Sequence, residues 1–154
     1  MTPPQPSLSR LAFQATIHCL TGCAIGEVLG MVIATALDWG NLAAIVLSVI
    51  LAFFFGYALT MRPLLASGLG LRRASRLALS ADTVSITVME ITDNAILLLI
   101  PAAMDARLDE PLFWASLVLS LAIAGVVAYP VNRWMIGRGQ GHAVVHGTHG
   151  GHQA

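Results

Sequence analysis

Residues Leu11–Leu37 read LAFQATIHCLTGCAIGEVLGMVIATAL, and this stretch decides the fold. It is longer than the roughly 20 apolar residues a helix needs to cross a bilayer, and Glu27 is its one formally charged residue. Three more segments qualify as spans: about Leu42–Met61, about Thr83–Ala103 and about Leu112–Val131. Turn-forming residues separate the first two at Asp38-Trp39-Gly40-Asn41. Arg62-Pro63 is predicted to end the second helix, because proline lacks the N–H that a helix interior uses. The segment Met104–Pro111 holds Asp105, Arg107, Asp109 and Glu110 and reads as a loop. The predicted fold is therefore all-α: a polytopic membrane protein built as a four-transmembrane-helix bundle. Residues 1–10 form an N-terminal tail, 11–135 the transmembrane domain and 136–154 a His/Gly-rich tail.

Composition supports that reading. The chain has 154 residues, of which 56% are hydrophobic and only 10% charged, with a mean hydropathy of +0.77. A soluble domain carries about a quarter charged residues, so lipid rather than water must cover this surface. A net charge of zero and the absence of lysine argue against nucleic acid as a partner. Cys19 and Cys23 stand one helical turn apart, an awkward geometry for a disulfide, and read as free thiols.

Basic residues stay on the cytoplasmic side of a membrane. Arg10 precedes the first span; Arg62, Arg72, Arg73 and Arg76 lie between the second and third; Arg133 and Arg138 follow the fourth. The two other loops contain Arg107 alone. Both termini are predicted to be cytoplasmic, with the protein in the inner membrane. Trp39 and Trp114 then fall at the outer interface, and Tyr129 and Trp134 at the inner one. Leu20-Thr21-Gly22-Cys23 matches a lipoprotein cleavage box, but the residues before it are broken by Gln14, Thr16 and His18. Those after it stay apolar where a lipoprotein turns polar, so that reading is set aside.

Inside the first span, Cys19, Cys23, Glu27 and Met31 follow one another at four-residue spacing and share a face. Gly22, Gly26 and Gly30 form a neighbouring row of the kind that lets another backbone approach closely. The third span is more polar. Asp82, Met89 and Asp93 share one face, flanked by Ser85 and Glu90. Ser80 and Asp82 are placed where a helix would start, a position that suits capping. Glu90 and Asp93 lie mid-span, level with Cys23 and Glu27 of a parallel helix. A carboxylate there costs about 2.5–3.5 kcal/mol on insertion scales. Glu27, Glu90 and Asp93 have no arginine or lysine within any span to pair with; His18 is the one basic candidate, nearer the inner face. The acids must then be protonated, line a wet cavity or hold a cation, unless they are a purely structural polar cluster.

The candidate metal set is His18, Cys19, Cys23, Glu27, Met89, Glu90 and Asp93. Mixed Cys/His/carboxylate ligation suits zinc or iron, while Cys19, Cys23, Met31 and Met89 suit copper(I). In the tail, His142, His146, His149 and His152 lie among glycines and form a possible second metal site on the cytoplasmic side. No nucleophile, base and orienting group form a set, so the chain is not expected to be an enzyme. A haem is disfavoured because His18 is the one intramembrane histidine.

The runs His18-Cys19-Leu20-Thr21-Gly22-Cys23-Ala24-Ile25-Gly26-Glu27 and Asp82-Thr83-Val84-Ser85-Ile86, the pairs Met89-Glu90 and Asp93-Asn94, and Pro130-Val131-Asn132-Arg133-Trp134 before Gly141-His142 together resemble a family of small bacterial membrane proteins catalogued as a domain of unknown function. The resemblance covers the chain after about residue 10 and implies a compact four-span domain, with no activity attached.

The leading expectation is a protein that handles or transports a transition-metal cation between the first and third helices. Four helices make a thin wall around a path, so a homodimer or higher homo-oligomer is expected, with the glycine row as a contact surface. A proton-coupled transporter or channel for a small solute, or a non-transport subunit of a membrane complex, are the alternatives. The topology is directly testable: a reporter fused after Trp134 should read cytoplasm, and one inserted near Asp109 should read the outside. The reverse result would overturn the arginine argument.

Overall fold

A computed structural model of the chain describes residues 7–139. It consists of four helices: α1 (Leu8–Ala36), α2 (Asn41–Ala66), α3 (Leu71–Leu99) and α4 (Pro111–Gly137). There is no strand among the described residues, so the chain is all-α. By length and composition α1, α2 and α4 are long and apolar enough to cross a membrane. The α3 helix equals α1 in length at 29 residues but is more polar. The histidines of the tail, His142, His146, His149 and His152, lie outside the described residues.

Local chemistry sets most of the helix ends. Ser7 caps α1, its Oγ accepting from the Arg10 N–H at 3.3 Å, which satisfies one of the free amides of the first turn. Asp38 adopts φ +53°, a left-handed conformation that short polar side chains tolerate, and the chain reverses over Leu37–Gly40. Pro111 opens α4 where its missing N–H costs nothing.

Four boundaries differ from the sequence reading by several residues. Pro63 does not end α2, which continues to Ala66. A proline in the last turn forfeits one hydrogen bond, and the turn is held by the fully buried Leu64, which packs on Ala74, Ala81, Leu69 and Leu77. The same contact explains why α3 starts at Leu71, twelve residues before the expected Thr83. Arg72, Arg73 and Arg76 are thus on the first turns of α3 rather than in a loop. Ser80 and Asp82 are inside the helix rather than at its cap, and the loop to α4 begins at Ile100. The α4 helix also runs on past Pro130 to Gly137.

The helices form a ring in the order α1–α2–α3–α4, with α1 also meeting α3 across the diagonal. The closest approach is between α1 and α2, where the glycine row is used. A Cβ on Gly22 would stand 2.7 Å from the Cα of Gly56. One on Gly30 would stand 2.6 Å from the Cα of Ser48, and one on Gly26 would collide with the backbone of Ala52. Small residues at both sides of such a seam are the usual route to close packing in lipid. The row therefore serves helix packing inside the chain, the close backbone approach its spacing suggests, and is not left free as a contact surface between copies.

The outer surface is apolar. Val46, Ile50 and Phe54 of α2, Ile91 and Leu98 of α3, and Val118 and Val126 of α4 are exposed, while Glu27, Asp82, Glu90, Asp93 and Asn132 are buried. This inverts the usual distribution in water. Replacing Gly26 by Leu should cost about 3 kcal/mol, the upper end for an overpacked site, because backbone rather than a movable side chain is in the way. Thermal unfolding in detergent checks this, with Gly40→Leu, which has nothing within 4 Å, as the control that should melt like the parent.

Candidate functional site

The diagonal contact between α1 and α3 brings the predicted row of α1 onto the polar face of α3. Cys19, Cys23 and Glu27 of α1 are all buried, as are Asp82, Ser85, Met89, Glu90 and Asp93 of α3. They meet in pairs that climb both helices in the same direction. Cys19 Sγ donates to Asp82 Oδ1 at 3.7 Å, and Ser85 lies beside the same thiol. One turn on, Cys23 faces Glu90. One turn further, Glu27 faces Asp93, which also lies beside Ser120 of α4. Cys19 to Glu27 spans eight residues, or about 12 Å of helix at 1.5 Å per residue. Met89, fully buried, packs with Cys19 and Cys23 in the central apolar cluster.

His18 joins the column from the side. Its Nε2 lies 2.7 Å from Thr60 Oγ1 of α2, and Thr60 also bonds the Asp82 carboxyl group. A hydroxyl thus links the imidazole to the first pair. At that end of the bundle Asn132 Nδ2 donates to Thr16 Oγ1 at 2.9 Å, tying α4 to α1.

The column is rich in acceptors and poor in donors. Glu27 Oε2, both oxygens of Glu90, both oxygens of Asp93 and the Ser85 hydroxyl are buried without a hydrogen bond of good geometry. Buried polar atoms in folded proteins are nearly always bonded; here the carboxyl groups have only each other, the Cys23 thiol and the Ser120 hydroxyl as polar side-chain neighbours. Protein cations do not join them: all eight arginines are exposed. Arg107 pairs with Asp109 at 3.1 Å on the surface, and Arg138 stacks on Trp134 at 4.5 Å. Among the described residues no three His, Cys, Asp or Glu side chains are gathered as a closed metal-binding group. Of the predicted metal-site residues, Cys19, Cys23, Glu27, Glu90 and Asp93 lie along one column, with Met89 packed beside it and His18 linked from the side through Thr60.

Thr60, Ser120 and Asn132 were absent from the predicted site. Their signal was periodic: the buried residues of α2 are Ala44, Ser48, Ala52, Gly56, Thr60 and Leu64, every fourth position. In α4 the same spacing runs through Ser116, Ser120, Ala124, Ala128, Asn132 and Ile136. Small and polar residues at that interval mark an inward stripe.

A family model for DUF4396, a domain of unknown function, matches residues 10–141. The chain belongs to the DUF4396 family. No curated protein and no solved structure matches it. Within this DUF4396 chain the match takes in the whole column, from His18 to Asn132, and leaves out all but the start of the tail.

Burial of both thiols gives a direct check. Cys19 and Cys23 are 0% and 1% exposed, so a maleimide should modify neither in the folded, detergent-solubilised protein and both after denaturation in SDS. Rapid native modification would mean that the column is open to water.

Proposed function

We propose that this protein is a four-span inner-membrane protein, with both termini cytoplasmic, that passes a transition-metal cation along the α1–α3 column. The observation that carries the reading is the stack of three pairs, Cys19/Asp82, Cys23/Glu90 and Glu27/Asp93, each setting an α1 group against an α3 carboxyl with no arginine in reach. Carboxylates supply the negative charge and thiols the preference for a transition metal over a hard ion. Pairs spaced along a path suit stepwise passage better than tight storage, since a closed ligand set would hold its ion too firmly to release it. Two features support α3 as the fourth span: its 29 residues reach about 43 Å at 1.5 Å each, and its acids turn inward while Val84, Ile91 and Leu98 face out. The tail histidines, on the same side as both termini, would receive or deliver the ion.

A second reading is a proton path. It is favoured by the hydroxyls of Thr60 and Ser120 beside the Asp82 and Asp93 carboxyl groups, because alternating hydroxyl and carboxyl groups relay protons. Either path requires the charge of Glu90 and Asp93. In proteoliposomes the double substitution Glu90→Gln, Asp93→Asn should abolish metal uptake, by at least tenfold, while insertion and melting stay at parental values or improve. Loss of proton flux with no metal uptake by the parent would favour the second reading. Full activity of the double variant would sink both.

A further inference from the structure

The column does not stop at Glu27. Beyond it, toward the α3–α4 loop, lies a small cavity of about 10 Å³ whose wall includes Glu27, Met31, Leu97, Met104, Phe113 and Ser116. Glu27 is only 3% exposed; its carboxyl group is bonded to Asp93 on the column side, and its Oε2 makes no hydrogen bond of good geometry. A carboxyl oxygen left unsatisfied beside an otherwise apolar cavity calls for a positively charged or donating occupant. The volume sits at the lower limit for a single water, so an ion with its hydration shell does not fit and a bare one does. Of the other side-chain hetero-atoms of the wall, the Ser116 hydroxyl already donates to the backbone of its own helix, which leaves the thioethers of Met31 and Met104.

Met104 is placed there by its loop. Ala102, two residues earlier, has φ +62°, a conformation rare for a residue with a Cβ. One residue later Asp105 accepts from Asn41 Nδ2 of α2 at 3.2 Å. The backbone on either side of Met104 is thereby set, one side by an unusual dihedral and the other by a bond to another helix. Met31 is on the same face of α1 as Glu27, one turn further on.

The geometry points to a soft monovalent cation site, for copper(I) or its analogue silver(I), formed by the Met31 and Met104 thioethers with Glu27 between them and the column. It deepens the proposed function and rests on that reading for its purpose: it is the first station of the path at the loop end, and it selects the cargo. Neutral thioethers hold copper(I) and silver(I) and bind zinc poorly. Past this site the ion meets a sulfur again at Cys23, Met89 and Cys19, all in the same buried cluster. Soft ligands thus stand on both sides of the all-oxygen Glu27/Asp93 pair.

The test uses the full chain carrying 13C-labelled methionine methyl groups, titrated with silver(I) in detergent micelles. There are six methionines to compare. The Met31 and Met104 methyl signals should move together and saturably, and zinc(II) at the same concentration should leave them in place. Met31→Leu and Met104→Leu preserve volume, and each should weaken silver binding read at the other methionine by at least tenfold. Glu27→Gln should weaken it as well. Unmoved signals, or all six moving alike, would overturn the site. The ladder is tested separately: silver binding at the methionine pair in a protein whose Glu90→Gln, Asp93→Asn double variant transports normally would keep this site and remove the transport reading. The opposite pattern would do the reverse.

Discussion

The backbone contact between α1 and α2 is the constraint on which the rest depends. With Gly22, Gly26 and Gly30 against Gly56, Ala52 and Ser48, α1 is fixed in rotation about its own axis. The row that carries Cys19, Cys23 and Glu27 lies beside the glycine row, so fixing one row aims the other. Aimed across the bundle, it meets α3, where Asp82, Glu90 and Asp93 face Cys19, Cys23 and Glu27 in the same order, although the α3 acids are spaced eight and three residues apart rather than four. A side chain on any of the three glycines would push α1 outward or turn it. It would also break the weak bond from Ser48 Oγ to the Glu27 carbonyl, 3.4 Å long.

Against that scaffold the polar column works as a cost. Hydrogen bonds between helices in lipid are worth little, about 0.6 kcal/mol on average in one well-studied case, while each mid-span carboxylate costs several times that on insertion scales. The bonds that exist, such as Asn132 to Thr16 and His18 to Thr60, sit near the end where the chain termini lie. The unsatisfied oxygens of Glu90 and Asp93 sit deeper. The well-formed interhelical bonds and the orphaned carboxyl oxygens are thus separated along the axis, although Glu90 and Asp93 also touch α1 and α4 through Cys23, Glu27 and Ser120.

Much of this was legible in the residues. The all-α class follows from apolar runs of span length, and the inward row of α1 from its spacing of four. The pairing of α1 with a parallel α3 was also visible, because Glu90 and Asp93 sit at the depth of Cys23 and Glu27. What stayed hidden depends on tertiary contact. Pro63 looked like a terminator because proline usually is, yet Leu64 is anchored by residues of the next helix. The start of α3 was hidden because Leu71–Ser80 is rich in arginine, and only the packing of Ala74 and Ala78 makes it helix rather than loop. Thr60 carried no chemistry that distinguishes it from any other threonine until α2 placed it between His18 and Asp82. The glycine row could serve either a partner within the chain or a second copy, and spacing alone does not choose.

The uneven loops have a consequence for how the protein is made. Four residues join α1 to α2, and eleven join α3 to α4. The first pair carries a single acid, Glu27, within long apolar runs and can assemble as a hairpin as soon as it leaves the ribosome. On the four-span reading α3 is in a different position: alone in lipid, Asp82, Glu90 and Asp93 would together cost more than its leucines and isoleucines return. Its membrane insertion is therefore tied to docking on a hairpin already in place, whose thiols and Thr60 offer its carboxyl groups their first neighbours. Chain order, in which the glycine-bearing helix comes first and the acid-bearing helix third, is then a requirement of biogenesis as well as of the finished fold.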